Sequence, residues 1–328
     1  MDADRLARIF DRWVTPPPVD EDTIYNRHLG VFLLWACRET GVLDELLDGP
    51  KTAPEVADRT DVTERAAGIV LDALGDLGYV DAAGDEYEAT DAIRVFDPDT
   101  PALERGILPH RIDSLENYMA LPETMRTGEP PEPTKEGFLN FVGGMAVIED
   151  TVVRSGVTVA EQAHPRPDRV LDVGGGPAKF SREFARRGAD VTLVDRPDVI
   201  DVVRPTVSEE FGIEWVGGDA RESLPQGFDL VFSARMTVSF SLEDVAGYYA
   251  NAYDALDPGG TFVCMEHVRG RAEVAERFAA HMMSMAGSGN TKTEEQYRSR
   301  LEDAGFVDVD VREVPDTDFQ AMIGHKPE

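Results

Sequence analysis

The second half of the chain alternates between short β-rich runs and segments with helical periodicity. Apolar, β-branched runs occur at 169–173, 190–195, 213–218, 228–234 and 260–267. Most of them are separated by helical segments, one of which is predicted over 197–212. Strands that alternate with helices pair in parallel, so this pattern predicts an α/β fold with a doubly wound, mostly parallel sheet. Further runs at 307–314 and 319–324 bring the predicted sheet to seven strands.

The first hundred residues follow a different pattern. Helical segments occupy most of 29–78, and two of them begin with capping signals: Thr52 with Glu55 three residues later, and Thr63 with Ala66. Short extended runs then flank Gly84 and predict a small hairpin. Helices followed by a hairpin are typical of a winged-helix domain, mainly α in content.

These patterns divide the 328 residues into three predicted segments. Residues 1–100 form the winged-helix domain, 101–160 a helical linker with part of a substrate pocket, and 161–328 the α/β domain. The polar, proline-rich stretch 127–137 is predicted to be a surface connection near a domain boundary.

The charge of the chain is strongly negative. Asp and Glu total 63 against 32 Lys and Arg, a formal net charge of −31. Because nucleic-acid binding depends on cations that neutralise phosphates, DNA and RNA are disfavoured as partners. Lysine is scarce and the acidic residues are spread along the whole chain, as expected in a salt-rich cytosol, where screening weakens self-repulsion. We therefore predict an acidic, halophile-like protein.

Membrane, secretory and disulfide chemistry find no support in the sequence. An uncharged apolar run of about 18 residues is lacking, and so is an apolar segment near the N-terminus, so a cytoplasmic location without a membrane partner is predicted. Two cysteines, Cys37 and Cys264, are too few and too far apart for a disulfide framework or a metal site. We expect both to be reduced core residues, and we expect no metal.

A glycine-rich turn follows the strand at 169–173. Glycines at this point let a ligand approach the backbone at the carboxyl edge of the sheet. A dinucleotide fingerprint that starts at Gly174 needs glycine at position 179, where Lys179 stands. Asp172 precedes the turn; it would repel a pyrophosphate but could accept hydrogen bonds from an ammonium group. A ligand with an amino-acid end therefore fits better than NAD.

Two more carboxylates follow the next two strands. Asp195 ends the second strand, 195 − 172 = 23 residues after Asp172, a spacing that suits the two hydroxyls of a ribose. Asp219 follows the third strand. In a chain so rich in acids any one of them could be an ordinary solvated turn residue, but all three beside the glycines indicate an adenosine joined to an amino acid. The predicted ligand is S-adenosylmethionine.

At this point the sequence resembles the class I S-adenosylmethionine-dependent methyltransferases, and specifically the caffeate and hydroxyindole O-methyltransferase-like family. The resemblance covers nearly the whole chain, including the N-terminal winged-helix dimerisation domain at 29–96 and the linker at 121–128. Its motifs are LDVGGGPAKF, VDRPDVI, GGDARESLPQGFDLVFSA, LDPGGTFVCMEHV and GSGNTKTEEQYRSRLEDAGF. It implies a Rossmann-like methyltransferase domain and a homodimer that acts on a small-molecule acceptor.

The resemblance also implies cofactor-binding residues. Gly174 and Gly176 would hold the methionine portion, Asp195 the ribose, and Asp219 with Ala220 the adenine. Asp172, before the turn, and Ser233, near the end of the fourth strand, complete the predicted cofactor-binding set. Many members carry a further glycine at the position of Ala178.

The catalytic positions depart from the family pattern. The position of the usual His general base is occupied by Val238, and that of the Glu beside it by Thr291. Neither side chain takes a proton at neutral pH, so we expect positioning to carry much of the reaction and the acceptor to have an acidic hydroxyl or a neutral nitrogen. His281 and His267 are the candidate substitutes for the base, although for each a packing role is the more common one.

Three functions are compatible with the sequence. The leading prediction is a methyltransferase that acts on the hydroxyl of a small, aromatic molecule. The second is a non-catalytic or repurposed S-adenosylmethionine-binding homologue, which the loss of the base suggests. The third is a winged-helix DNA-binding regulator; the predicted recognition helix at 63–78 carries Arg65 as its only cation, which disfavours that function.

Overall fold

The computed structural model describes residues 29–328, which pack as two compact units. The smaller unit contains 29–116 and Thr134–Gly144, and the larger contains Asn117–Pro133 and Met145–Glu328. The units are therefore interleaved along the chain, because two long helices each contribute residues to both. The part of the predicted N-terminal domain before residue 29 lies outside the described residues.

The smaller unit begins with helices α1 (Leu29–Glu39) and α2 (Val42–Leu47), then strand β1 (Lys51–Thr52). Helices α3 (Ala53–Arg59) and α4 (Glu64–Asp76) follow, and their N-terminal caps are as predicted. Thr52 and Glu55 form a capping box, and the Thr63 side chain accepts a hydrogen bond from the Ala66 amide. Each cap satisfies amide donors that the first helical turn leaves unpaired.

The predicted hairpin is present. Strands β2 (Val80–Ala83) and β3 (Glu86–Ala89) are antiparallel, and β1 pairs with β3 to complete a three-stranded sheet. The short helix α5 (Asp91–Arg94) follows. A buried apolar cluster that includes Leu34, Leu71 and Cys37 fills this unit. Cys37 and Cys264 are both buried and free, as predicted.

Two helices link the units in sequence. Helix α6 spans Leu108–Thr127 and helix α7 spans Lys135–Ala146. The residues between them form an exposed loop without regular structure, which confirms the predicted surface connection at 127–137. No helix in the described part of the chain, 29–328, is long and apolar enough to cross a membrane.

The larger unit contains the predicted seven-stranded sheet. Its strands are β4 (Arg169–Val173), β5 (Asp190–Asp195), β6 (Glu214–Gly217), β7 (Phe228–Ala234), β8 (Leu256–Glu266), β9 (Val307–Glu313) and β10 (Gln320–His325). Their spatial order is β6-β5-β4-β7-β8-β10-β9. The first five pair in parallel, whereas β10 is antiparallel to both β8 and β9. The chain reverses its strand order between β4 and β7, where such sheets bind ligands.

Helices cover both faces of this sheet. They are α8 (Asp150–Ala163), α9 (Lys179–Arg186), α10 (Pro197–Val203), α11 (Leu242–Ala255), α12 (Ala275–Ala286) and α13 (Glu294–Asp303). One buried cluster joins α11 and α13 to the sheet, and a second joins α8 and α9 to it. Burial on both faces explains why the strand sequences are almost continuously apolar.

One predicted helix is shorter than expected. The segment 197–212 was expected to be helical throughout, but α10 ends at Val203 and two 3-10 turns follow, Arg204–Thr206 and Glu209–Phe211. Pro205 lies just beyond the end of α10. Proline cannot donate the amide hydrogen bond that a continuing helix needs, and its ring clashes with the preceding turn.

Candidate active site

The glycine turn between β4 and α9 adopts backbone conformations that residues with a side chain adopt only with strain. Gly174 has φ 68° and Gly176 has φ 48°, both in the left-handed region. A Cβ on Gly174 would also lie 2.8 Å from Sδ of Met236. Ala178 adopts the same conformation, with φ 57°, immediately before α9. Glycine would adopt that conformation at position 178 without strain.

Asp172 lies at the end of β4 beneath this turn. Its carboxylate is almost completely buried and accepts a hydrogen bond of 2.5 Å from the Ser181 hydroxyl in α9. Burial, and then the negative charge of Asp195, raise the pKa of Asp172 to about 7. The residue therefore fastens the first turn of α9 to the strand end, in addition to any contact with a ligand.

Asp195 ends β5, the neighbouring strand. One carboxylate oxygen accepts a hydrogen bond of 2.8 Å from the Gly176 amide, and the other accepts one of 2.7 Å from the Arg196 amide. Burial raises the pKa of Asp195, and these two amide bonds partly oppose the rise. The sequence predicted both Asp195 and Gly176 as ligand contacts, and the structure brings them into direct contact at one sheet edge.

Asp219 follows β6 and has a more open setting. It accepts hydrogen bonds from the Arg221 amide and from the Arg221 guanidinium, at 2.6 Å for the shortest, and the guanidinium lowers its pKa. Ala220 is buried, and its carbonyl accepts 2.9 Å from the Asn251 side chain. The loop after β6 is thus held by contacts to its own residues and to α11.

Ser233 differs from the other predicted cofactor residues. It lies in β7, between Val173 of β4 and Cys264 of β8, and it is completely buried. Its hydroxyl oxygen is inaccessible to solvent. Ser233 is therefore placed within the sheet, one residue before the edge at which Asp172 and Asp195 meet.

A 3-10 turn, Thr237–Ser239, follows β7 and carries Val238, the residue predicted to stand at the position of the usual base. Val238 is 2% exposed and packs against Val274, Phe278 and Met282. Thr291 is also buried, and its hydroxyl donates 3.0 Å to the Ala275 carbonyl. We call Val238, Val274, Phe278 and Met282 the apolar wall; none of them carries a group that accepts a proton.

His267, at the end of β8, is enclosed by aromatic rings. It stacks on Phe319 with ring centroids 4.1 Å apart and meets Phe278 edge-on at 5.1 Å. Its Nδ1 is 3.3 Å from the Asp318 carbonyl oxygen, to which it donates. Burial, and then the charge of Arg235, lower the pKa of His267 to about 3. With so low a pKa, the imidazole of His267 is almost entirely unprotonated at neutral pH.

His281 has a different environment. It lies on α12, three residues after Phe278, so it shares a helix face with that member of the apolar wall, and the two ring centroids are 5.9 Å apart. Its Nδ1 is 2.7 Å from the Tyr118 hydroxyl oxygen in α6. Which of the two atoms donates depends on the His281 tautomer; if Nδ1 carries the proton, Nε2 carries the lone pair that a base needs.

Comparison with known proteins places these features in a family. The model of the O-methyltransferase domain family matches residues 135–307, more than half of the chain. The chain belongs to the O-methyltransferase family.

Curated relatives extend the match beyond that domain. Demethylspheroidene O-methyltransferase of Rhodobacter capsulatus is 28% identical over 300 residues, covering 84% of this chain and 74% of that protein. The 3-amino-4-hydroxybenzoate 4-O-methyltransferase of Streptomyces cremeus is also 28% identical, over 298 residues, covering 83% of this chain and 80% of its own. Among solved structures, PigF with S-adenosylhomocysteine superposes with a TM-score of 0.73 at 20% identity, covering 94% of this chain and all of that one.

Membership confirms the predicted fold and the predicted cofactor, S-adenosylmethionine. The residues present suit this cofactor. The left-handed glycine turn carries no Cβ at Gly174 and Gly176, and the Asp195 carboxylate is fixed at the adjoining strand end by two amides. A lysine or arginine cradle for a pyrophosphate is not part of this turn, since the nearest cation in sequence, Lys179, donates to the Ile148 carbonyl and pairs with Asp150.

Sequence reasoning missed three residues of this site. Tyr118 lies far from His281 in the chain, and only folding brings the two together. Glu266 and Lys292 are buried against the turn that carries Val238; both stand in motifs that carry the family resemblance, but neither was singled out for chemistry. The signal that could have found Glu266 is a charged residue at the end of an otherwise apolar strand, whereas Lys292 lies in a loop and gives no such signal.

Proposed function

We propose that this O-methyltransferase acts on the hydroxyl of a small aromatic molecule and that His281 accepts the hydroxyl proton. The observation that carries the proposal is the His281–Tyr118 pair beside the apolar wall. The name of the Streptomyces cremeus relative, a methyltransferase for 3-amino-4-hydroxybenzoate, supports an aromatic acceptor of this kind. An acidic phenol suits a weak or displaced base better than an aliphatic alcohol does.

Different residues are proposed to bind different parts of the cofactor. Bound S-adenosylmethionine supplies a methyl group on a cationic sulfur. The glycine turn at Gly174 and Gly176 and the carboxylate of Asp195 would hold the methionine and ribose portions, and the loop at Asp219 and Ala220 would hold the adenine. Asp172 supports the turn from below. Ser233 is completely buried within the sheet, so it would support the site from behind the strand ends without lining it.

On the acceptor side, the apolar wall excludes water and holds a planar ring. His281, oriented by Tyr118, receives the proton as the oxygen attacks. His267 supports the wall by packing against Phe278 rather than by titrating near neutral pH. Much of the rate then comes from alignment, which contributes up to about 7–11 kcal/mol in favourable reactions.

Methyl transfer from labelled S-adenosylmethionine to phenols of graded acidity tests the proposal. We expect methylated product, and we expect His281→Ala to lower kcat by about a hundredfold while affinity for S-adenosylhomocysteine is kept. His164→Gln is the matched control, because His164 bonds Thr261 and touches none of the proposed site residues. A wild-type protein that binds the cofactor but methylates nothing in a wide panel would favour the repurposed binder.

The size of the His281 effect separates two mechanisms. If His281→Ala and His267→Ala leave kcat unchanged, and the rate simply follows the ionised fraction of the phenol, then alignment alone carries the reaction. A hundredfold loss in His267→Ala with His281→Ala unaffected would move the base to the end of β8.

We also infer a homodimer built on the N-terminal helices. Helix α1 leaves Leu29 and Phe32 exposed, at 43% and 45%. Exposed large apolar side chains on one helix favour an isologous interface. Light scattering in concentrated salt should give twice 36.0 kDa, and a strict monomer under those conditions would contradict the inference.

The charge of the chain supports two further expectations. At a formal −31, the protein should not shift random duplex DNA in a mobility assay at any salt concentration, and retarded DNA at low salt would contradict this. We likewise infer a cytoplasmic location, which fractionation of the source cells would test.

A further inference from the structure

Thr237, the first residue of the turn after β7, is held through its amide, its hydroxyl and its carbonyl. Its amide and its hydroxyl each donate 2.7 Å to Oε1 of Glu266, at the end of β8. Its carbonyl accepts 2.5 Å from Nζ of Lys292. The hydroxyl also lies 3.1 Å from the Tyr297 hydroxyl in α13. Thr237 itself is completely buried.

Lys292 binds the rest of the turn as well. Its Nζ donates 2.6 Å to the Phe240 carbonyl and 2.8 Å to the Asn290 carbonyl. The Asn290 amide in turn donates 2.8 Å to the Val238 carbonyl. Three carbonyls therefore surround one ammonium group, and the backbone from Thr237 to Phe240 is tied to the loop before α13.

Both charged groups are withdrawn from water. Glu266 is 0% exposed and Lys292 is 2% exposed. Burying a carboxylate and an ammonium group costs several kcal/mol each, and the return from their mutual attraction rarely exceeds that of well-packed apolar residues. A purely structural strand end could use apolar side chains here. The charges therefore point to a requirement for one fixed position of the turn.

The residues on either side of Thr237 show what that position controls. Met236 lies over the glycine turn, with Sδ 2.8 Å from where a Cβ of Gly174 would be. Val238 belongs to the apolar wall and packs against Phe278, on the helix face that carries His281. A displacement of Thr237 would thus move one side chain at the cofactor turn and one at the acceptor wall together.

We propose that Glu266 and Lys292 are positioning residues for methyl transfer. Glu266 binds the amide and hydroxyl of Thr237 and Lys292 binds its carbonyl, and together they fix the positions of Met236 and Val238 relative to the cofactor turn. This inference rests on the proposed function for its activity readout. Neither residue touches a reacting atom; each acts through the backbone of the turn. We call the three residues Glu266, Thr237 and Lys292 the turn clamp.

Lys292→Met and Lys292→Arg form the first test. Misplacement of reacting groups by about 1 Å can cost about a hundredfold in rate, so Lys292→Met should lower kcat by 10- to 100-fold. Affinity for S-adenosylhomocysteine, measured by calorimetry, should change by less than about threefold, because the Asp195 contacts stay in place. Lys292→Arg keeps cationic donors and should recover much of kcat.

Lys326→Met is the matched control. Lys326 also donates to two main-chain carbonyls, those of Tyr253 at 2.9 Å and Leu256 at 2.7 Å, but it does so at the opposite end of β8. This variant should lose stability without losing kcat. If Lys326→Met and Lys292→Met lower kcat equally, the effect is general destabilisation and the turn clamp is not a positioning device.

Hydrogen exchange supplies a readout that needs no acceptor. In Glu266→Met the Thr237 amide loses its carboxylate partner, so its exchange should accelerate by at least tenfold, as should that of Asn290. Glu266→Gln keeps an oxygen acceptor for Thr237 and should retain most of the protection. Unchanged exchange in Glu266→Met, or unchanged kcat in a stable Lys292→Met, would overturn the proposal. If the wild type itself methylates no phenol, the proposed function fails while the exchange result still judges the turn clamp.

Discussion

The two halves of the site are built in different ways. At the ends of β4 and β5 the ligand-facing surface is backbone, shaped by glycines in left-handed conformation and by Asp195 bonded to two amides. At the ends of β7 and β8 it is side chain, an apolar wall fixed from behind by the buried turn clamp. Substitutions in the proposed cofactor half would therefore change the backbone itself, whereas those in the proposed acceptor half would change only side chains.

Asp195→Ala should give the largest effect on the cofactor half. The variant removes charge-assisted hydrogen bonds of about 1.5–3 kcal/mol each before water compensates, so we expect roughly 100-fold weaker binding of S-adenosylhomocysteine by calorimetry. Asp198→Ala is the control, since Asp198 is an exposed neighbour that pairs with Arg196. Equal affinity in a folded Asp195→Ala protein would show that the ribose site is elsewhere.

Gly174→Ala should have the next largest effect. A Cβ at φ 68° costs about 1–2 kcal/mol of backbone strain, and here it would also push against Met236. We expect about tenfold weaker S-adenosylhomocysteine binding. Gly212→Ala, with φ 62° but open space around it, should pay the backbone cost without any change in affinity. Parallel losses in the two variants would mean that Met236 does not define the turn.

The turn clamp also makes a prediction about pH and stability. Burial raises the pKa of Glu266 to about 7 and lowers that of Lys292 to about 8. Because the pKa of Glu266 is raised in the folded protein, the contribution of Glu266 to stability is lost as the pH rises to about 7. Because the pKa of Lys292 is lowered, the contribution of Lys292 is lost as the pH falls towards 8. The clamp is therefore least stabilising between pH 7 and 8, where both groups are charged.

Glu266→Gln should flatten this dependence. The variant removes the buried carboxylate charge, so unfolding free energy between pH 5 and 7 should fall less steeply than in the wild type, by about 1 kcal/mol or more over the interval. Denaturant titrations at several pH values measure the difference. Identical pH profiles for the two proteins would show that Glu266 does not titrate in this range.

Ala178→Gly should give the smallest effect. Glycine relieves the left-handed strain at φ 57° but removes a buried methyl group and adds freedom to the unfolded chain, so the net change should stay within about 1 kcal/mol. Thermal unfolding and S-adenosylhomocysteine affinity measure it. A large loss in this variant would indicate that the Ala178 methyl group packs against the cofactor turn more tightly than its backbone suggests.

The contrast between the halves also explains what the sequence could predict. Strand and helix periodicity located every strand of the large sheet, and glycines with carboxylates at strand ends predicted a cofactor site at the turn between β4 and α9, because both signals are local in the chain. The length of the helix after β5 was wrong, since the effect of Pro205 on its final turns was not taken into account.

The acceptor half gave weaker signals. The sequence predicted that Val238 stands at the position of the usual base, but it could not show the partner of His281, because Tyr118 is separated from it by 163 residues. Glu266 and Lys292 meet at Thr237 only after β8 and the loop before α13 are folded. Contacts between side chains that are distant in sequence leave no periodic pattern, so only a structure shows them.

The most direct test compares affinity with turnover in one pair of variants. Calorimetry with S-adenosylhomocysteine and kcat for an acidic phenol would be measured for Asp195→Ala and His281→Ala against the wild type. We predict that Asp195→Ala binds S-adenosylhomocysteine roughly 100-fold more weakly, while His281→Ala keeps its affinity and loses about a hundredfold in kcat. Equal losses of affinity in both variants, or a His281→Ala enzyme with wild-type turnover, would contradict the division of the site into a cofactor half and an acceptor half.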